Sequence, residues 1–65
     1  MNIEAYEKCG RHRAHYGDFD SWADVEIHFQ GWELLALRRA GVSGFATEKR
    51  TYERDGMQIV VKEIE

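Results

Sequence analysis

Four side chains that can bind a transition metal lie in the first half of the chain. Cys9, His12 and His15 follow one another at intervals of three residues, and His28 lies further along. A structural zinc ion takes four nitrogen or sulfur ligands, and its sites usually pair two cysteines or leave about three to five residues between two histidines. The spacing here matches neither pattern. We therefore predict no metal and no cofactor, and keep a small zinc-binding structural module with these four ligands as an alternative.

The same segment holds a pair that could act as a nucleophile and its base. A cysteine thiolate next to the imidazole of His12 is the arrangement that activates catalytic cysteines. No third residue that would orient the histidine, and no oxyanion hole, can be identified from the sequence. A chain of 65 residues also hides only about 60% of its unfolded surface, which leaves little from which to build a deep pocket. We predict that the protein is not an enzyme.

Acidic residues are concentrated in the middle of the chain. Five acids and no lysine or arginine occur between residues 18 and 33. A surface of one charge attracts a partner of the opposite charge, so this stretch is predicted to dock a basic surface of another protein. The predicted contact residues are the five acids and one isoleucine that a helix would expose: Asp18, Asp20, Asp24, Glu26, Glu33 and Ile27.

Cations and aromatic residues support a second hypothesis, a nucleic-acid-associated regulator. Arg11 and Arg13 lie near Tyr16, and such a mixture suits phosphate contact with base stacking. Three further cations of the C-terminal third would contribute: Lys49, Arg50 and Arg54. The net charge of −3 argues against this alternative, because nucleic-acid binders are usually basic.

Composition predicts one folded domain, residues 1–65, in the cytoplasm. The hydrophobic fraction of 43% is that of a folded chain, and Cys9 is the only cysteine, so no disulfide can form within the chain. No signal peptide is visible, and the apolar run from Leu34 to Leu37 is far shorter than the roughly 20 residues that cross a membrane. A core this small is marginal, which favours a homodimer or another protein partner.

The C-terminal third predicts a β-hairpin at about residues 45–64. Asp55-Gly56 between two strand-like runs is a strong hairpin signal. A two-residue turn would set Lys49 opposite Lys62, whereas a three-residue loop sets Glu48 opposite Lys62. Because like charges directly opposite are destabilising, the three-residue loop is predicted. The first strand is polar at residues 46–51 and is expected to form a sheet edge.

Residues 21–40 allow three partitions: helix 21–30 then strand 32–39, strand 24–29 then helix 32–40, or one helix 21–40. Ser21 is a good helix N-cap. Gln30-Gly31-Trp32-Glu33-Leu34 resembles the helix-to-strand junction of small uncharacterised bacterial and phage domains. The resemblance implies the first partition and no activity.

The resulting prediction is an α+β fold of order β-α-β-β-β, an antiparallel sheet with one helix packed on a face. Residues 3–8 would form the first strand, and residues 10–20 would connect it to the helix. The predicted function is that of a small acidic binding module that inhibits or regulates another protein. By analogy of size and charge, such chains include phage-encoded inhibitors of host defence, anti-CRISPR proteins among them.

Overall fold

In the described part of the chain, five strands form one antiparallel sheet that carries one short helix. The computed structural model describes residues 2–42 and 45–64, with side chains for residues 2–39 and 48–63. Its elements, in chain order, are β1 Asn2–Cys9, β2 His12–Phe19, α1 Trp22–His28, β3 Glu33–Val42, β4 Phe45–Arg54 and β5 Met57–Ile64. The strand order in the sheet is β2-β1-β5-β4-β3, and every neighbouring pair is antiparallel.

The predicted α+β class is wrong, because strands dominate and the helix has only seven residues. The error lies in residues 10–20, which we had expected to be a connection. Residues 12–19 form β2, joined to β1 by a two-residue turn in which Gly10 has φ 60° and Cys9 faces His12. Residues 12–16 of β2 are all exposed, so the apolar alternation that reveals a half-buried strand is absent there.

The β4–β5 hairpin is present, but its turn differs from the prediction. Asp55 (φ 52°) and Gly56 (φ 80°) form a two-residue turn, and Arg54 faces Met57. Positive φ at both positions is the type I′ pattern, whose twist matches that of the strands. This turn sets Lys49 opposite Lys62, where a Glu48–Lys62 pair had been predicted. The turn geometry therefore outweighs the repulsion of one pair of lysines on a solvated face.

The first partition of residues 21–40 is confirmed. The Ser21 side chain caps α1 by accepting a 3.2 Å hydrogen bond from the backbone N–H of Asp24. The helix ends before Gly31, whose φ of 84° only glycine adopts readily, and β3 follows. The prediction that β4 is a sheet edge is wrong, because β3 pairs along β4 and takes the edge itself.

The core lies between α1 and one face of the sheet, which we call the helix side. Phe29 stacks on Tyr52 with ring centroids 4.5 Å apart, and Ile59 and Val61 of the central strand β5 are fully buried there. The core cluster as a whole comprises Ile3, Ala5, Val25, Phe29, Tyr52, Ile59 and Val61. The opposite face, which we call the open face, has no helix of the described residues over it. None of the described helical residues makes a helix long and apolar enough to cross a membrane.

Candidate functional site

The outer strand β3 carries three leucines that solvent reaches. Leu34, Leu35 and Leu37 are 48%, 43% and 50% exposed, and we call these three residues the leucine edge. Leu34 faces Tyr52 and Leu37 faces Arg50, so both lie on the helix side. The pairing with β4 shifts register between Leu34 and Ala36, which leaves Leu35 as the extra residue of a bulge. Among described residues, the core cluster includes none from β3.

On the helix side, the charged side chains beside the leucine edge form one network of hydrogen bonds and ion pairs. Glu48 is 8% exposed; it accepts hydrogen bonds from Arg39 Nε at 2.8 Å and from Arg50 Nε at 2.6 Å. The Arg50 guanidinium also donates to Tyr52 Oη at 3.2 Å and lies over the ring of Trp22. Burial alone would lower the pKa of Arg50, but Tyr52 and Glu48 raise it above its ordinary value. Arg50 therefore stays charged and links β4 to α1, where it contacts Glu26 and Trp22.

The cations predicted for nucleic-acid contact do not form one surface. Arg50 is buried in the network just described, and Arg54 lies at the β4–β5 turn, 3.8 Å from Asp55. Arg11 lies in the β1–β2 turn. Lys49 and Arg13 both belong to the open face, on β4 and β2. The sequence could not show this division, because it depends on which residues face each other across strands.

The five predicted acidic contacts are also divided between the two faces. Asp18 lies on the open face, where a carboxylate oxygen is 3.1 Å from His15 Nε2. Glu26 lies on α1 and accepts a 3.3 Å hydrogen bond from Arg50 on the helix side. Asp20 and Asp24 are exposed around the start of α1, and Glu33 is exposed at the start of β3. Docking of a basic protein on this stretch stays a prediction. Ile27 is 66% exposed, as expected for the helix.

The four ligands of the zinc alternative are dispersed. Cys9 faces His12 at the β1–β2 turn, His15 lies beside Asp18, and His28 is hydrogen-bonded to Tyr16 Oη at 2.7 Å on the helix side. The part of the chain that the structure describes holds no group of three or more His, Cys, Asp or Glu side chains suited to a metal ion. Desolvation of the sulfur and a hydrogen bond to Glu7 raise the pKa of the Cys9 thiol, which opposes thiolate formation.

Sequence reasoning missed the leucine edge. The sequence does contain a sign of these exposed apolar side chains. Placed on a helical wheel, the apolar residues of the segment 33–41 go all round and leave no clean polar face. In the structure this segment lies in β3, which pairs with β4 and has no strand of the described residues on its other side. The comparisons with known proteins add no assignment: no family model, no curated protein and no solved structure matches the chain.

Proposed function

We propose that this protein is a non-enzymatic protein-interaction module that assembles through the outer edge of β3. The observation that supports it is the leucine edge, three leucines about half exposed on an outer strand. A long apolar edge strand offers unpaired backbone groups as a template for another strand. Proteins commonly bind one another by adding a strand at such an edge.

A second copy of this chain is the partner that the edge fits. In antiparallel pairing of two β3 strands, the beginning of one strand lies beside the end of the other. The beginning of β3 carries the acid Glu33, and further along the strand lie the cations Arg38 and Arg39. Antiparallel self-pairing therefore sets opposite charges near each other at both ends of the contact. The leucines of the two copies meet between these ends.

Removing the apolar contact tests the assembly. Sedimentation equilibrium of the parent chain should give twice the mass of one chain at micromolar concentration. The double substitution Leu35→Gln/Leu37→Gln keeps the net charge and removes four half-exposed leucines from the dimer. At roughly 1 kcal/mol for each leucine, the dimer loses about 4 kcal/mol, which is about a thousandfold in dissociation constant.

Ile27→Gln is the matched control, since it changes an exposed apolar residue of α1 away from β3. It should leave the dissociation constant unchanged. Assembly through β3 would be contradicted if the parent protein were monomeric. It would also be contradicted if the Ile27→Gln dimer dissociated as readily as that of the leucine variant. The inhibitory role predicted from size and charge is a separate hypothesis, to which the leucine edge adds only a surface for protein contact.

A further inference from the structure

Three cations lie side by side across three strands of the open face. Arg38 of β3 faces Lys49 of β4, and Lys49 faces Lys62 of β5. Residues directly opposite each other point to the same face, with Cβ atoms about 4.5–5.5 Å apart. The three positive charges therefore extend over about 10 Å, and we call Arg38, Lys49 and Lys62 the cation row.

Acids relieve the repulsion within the cation row only at its Lys62 end, where the same line across the sheet continues to Glu4 and Asp18. Like charges directly opposite are destabilising, and two such contacts occur here. Within the described residues, none of the three forms an ion pair. Glu4 lies opposite Lys62 at one end of the row, but no acid lies opposite Arg38 or Lys49 on the strands paired with them. The next acid along β4 on this face is Glu53, four residues from Lys49 and about 13 Å away.

A row of uncharged and aromatic side chains runs parallel to the cations. It lies two residues along each strand, or about 7 Å away, and its members face one another in order across all five strands. At its far end the rings of Tyr6 and His15 meet edge to face, with centroids 5.9 Å apart, and Lys62 Nζ lies 5.6 Å from the Tyr6 ring centroid. In strand order the row is Ala36, Thr51, Val60, Tyr6 and His15.

We propose that the open face binds single-stranded nucleic acid, with phosphates on the cation row and a base stacked at Tyr6, whose side chain is part-exposed. Cations that follow the backbone beside rings that stack on bases are the two components of such sites. Rings distinguish this ligand from an acidic peptide, which would use the cations alone. The site shares Arg38 with the β3 contact proposed above, but Lys49 and Tyr6 lie on β4 and β1, so variants of these two residues test it independently of assembly.

Lys49→Glu tests the cation row, because it should weaken the affinity for nucleic acid without lowering the stability of the fold. The substitution replaces two like-charge contacts with two unlike ones, so the free energy of unfolding should stay the same or rise. Fluorescence anisotropy with labelled oligothymidine at low salt should show affinity weakened by about tenfold or more. The slope of the logarithm of the binding constant against the logarithm of the salt concentration should become shallower by about 0.7, which is the contribution of one phosphate of a single strand.

Arg11→Glu is the control with the same charge change, since Arg11 lies in the β1–β2 turn outside the row. It should reduce affinity much less than Lys49→Glu. For the bases, Tyr6→Leu should weaken binding while Tyr6→Phe retains it, and both are checked by thermal melting. Three results would overturn the proposal. The parent protein could fail to bind oligothymidine, Lys49→Glu and Arg11→Glu could reduce its affinity equally, or the parent could bind oligothymidine and oligoglutamate with equal affinity.

Discussion

At the scale of single residues, Glu48 shows how burial decides the contribution of an ion pair. Its side chain and that of Arg50 are 10% and 12% exposed, whereas Glu26, the other acid on Arg50, is 65% exposed. A buried cation that loses its partner remains desolvated and unpaired, but an exposed pair is screened by water. The two acids on one arginine should therefore differ in their effect on stability.

We expect Glu48→Gln to lower the free energy of unfolding by about 2–3 kcal/mol and Glu26→Gln to lower it by less than about 1 kcal/mol. Urea denaturation of the two variants measures both values. Equal losses would show that the Glu48 network is not protected from water as the structure indicates.

Cys9 offers a second residue-scale prediction, because local desolvation and, after it, the hydrogen bond to Glu7 raise the pKa of its thiol. Only the thiolate reacts with iodoacetamide, so a raised pKa means less reactive sulfur at neutral pH. We expect the alkylation rate to rise with a midpoint above that of free cysteine. Glu7→Gln should move that midpoint to lower pH. An unchanged midpoint in Glu7→Gln would contradict the role of the carboxylate.

At the scale of elements, the β4–β5 turn depends on one glycine. Gly56 has φ 80°, a region in which a side chain is strained, whereas Gly17 in β2 has open space around it and no such φ. We expect Gly56→Ala to lower the free energy of unfolding by about 1–2 kcal/mol. Gly17→Ala, the matched control, should be neutral or stabilising by about 0.5–1 kcal/mol. Thermal melting of the two variants gives the comparison, and a Gly56→Ala chain as stable as the parent would contradict the type I′ turn.

At the scale of the whole molecule, the proposed β3 assembly would bring the proposed nucleic-acid surfaces of two chains together. A two-fold axis perpendicular to the sheet, as antiparallel β3–β3 pairing requires, keeps both open faces on the same side. Two cation rows then lie on one surface of a ten-stranded sheet. A strand of nucleic acid that reaches both rows gains affinity from the second contact without any new chemistry.

The leucine-edge variant Leu35→Gln/Leu37→Gln should therefore bind a long oligothymidine about a hundredfold more weakly than the parent, although every cation is retained. With a short oligothymidine that reaches one row only, the two proteins should bind equally. Anisotropy titrations with both lengths provide the measurement. A long strand that binds the variant and the parent alike would show that the two rows do not act together.

The sequence by itself determined the features whose causes lie within a few residues. Ser21 predicted the start of α1, and Asp55-Gly56 predicted the place of the last hairpin though not its two-residue turn, because caps and turns depend on local hydrogen bonds and on φ. The end of α1 before Gly31 was implied by the resemblance of residues 30–34. The sequence did not predict β2, because an exposed strand of polar residues has no periodic apolar pattern.

Only the tertiary structure decided which strands are neighbours and which side chains therefore face each other. The order β2-β1-β5-β4-β3 brings Arg38 beside Lys49 and Lys49 beside Lys62, although these residues are far apart in the chain. It also leaves β3 outermost, with its leucines exposed. Strand order is set by burial of the common core and by the two-residue turns, and a pairwise charge rule is too weak, at roughly 0.2–1 kcal/mol, to override them.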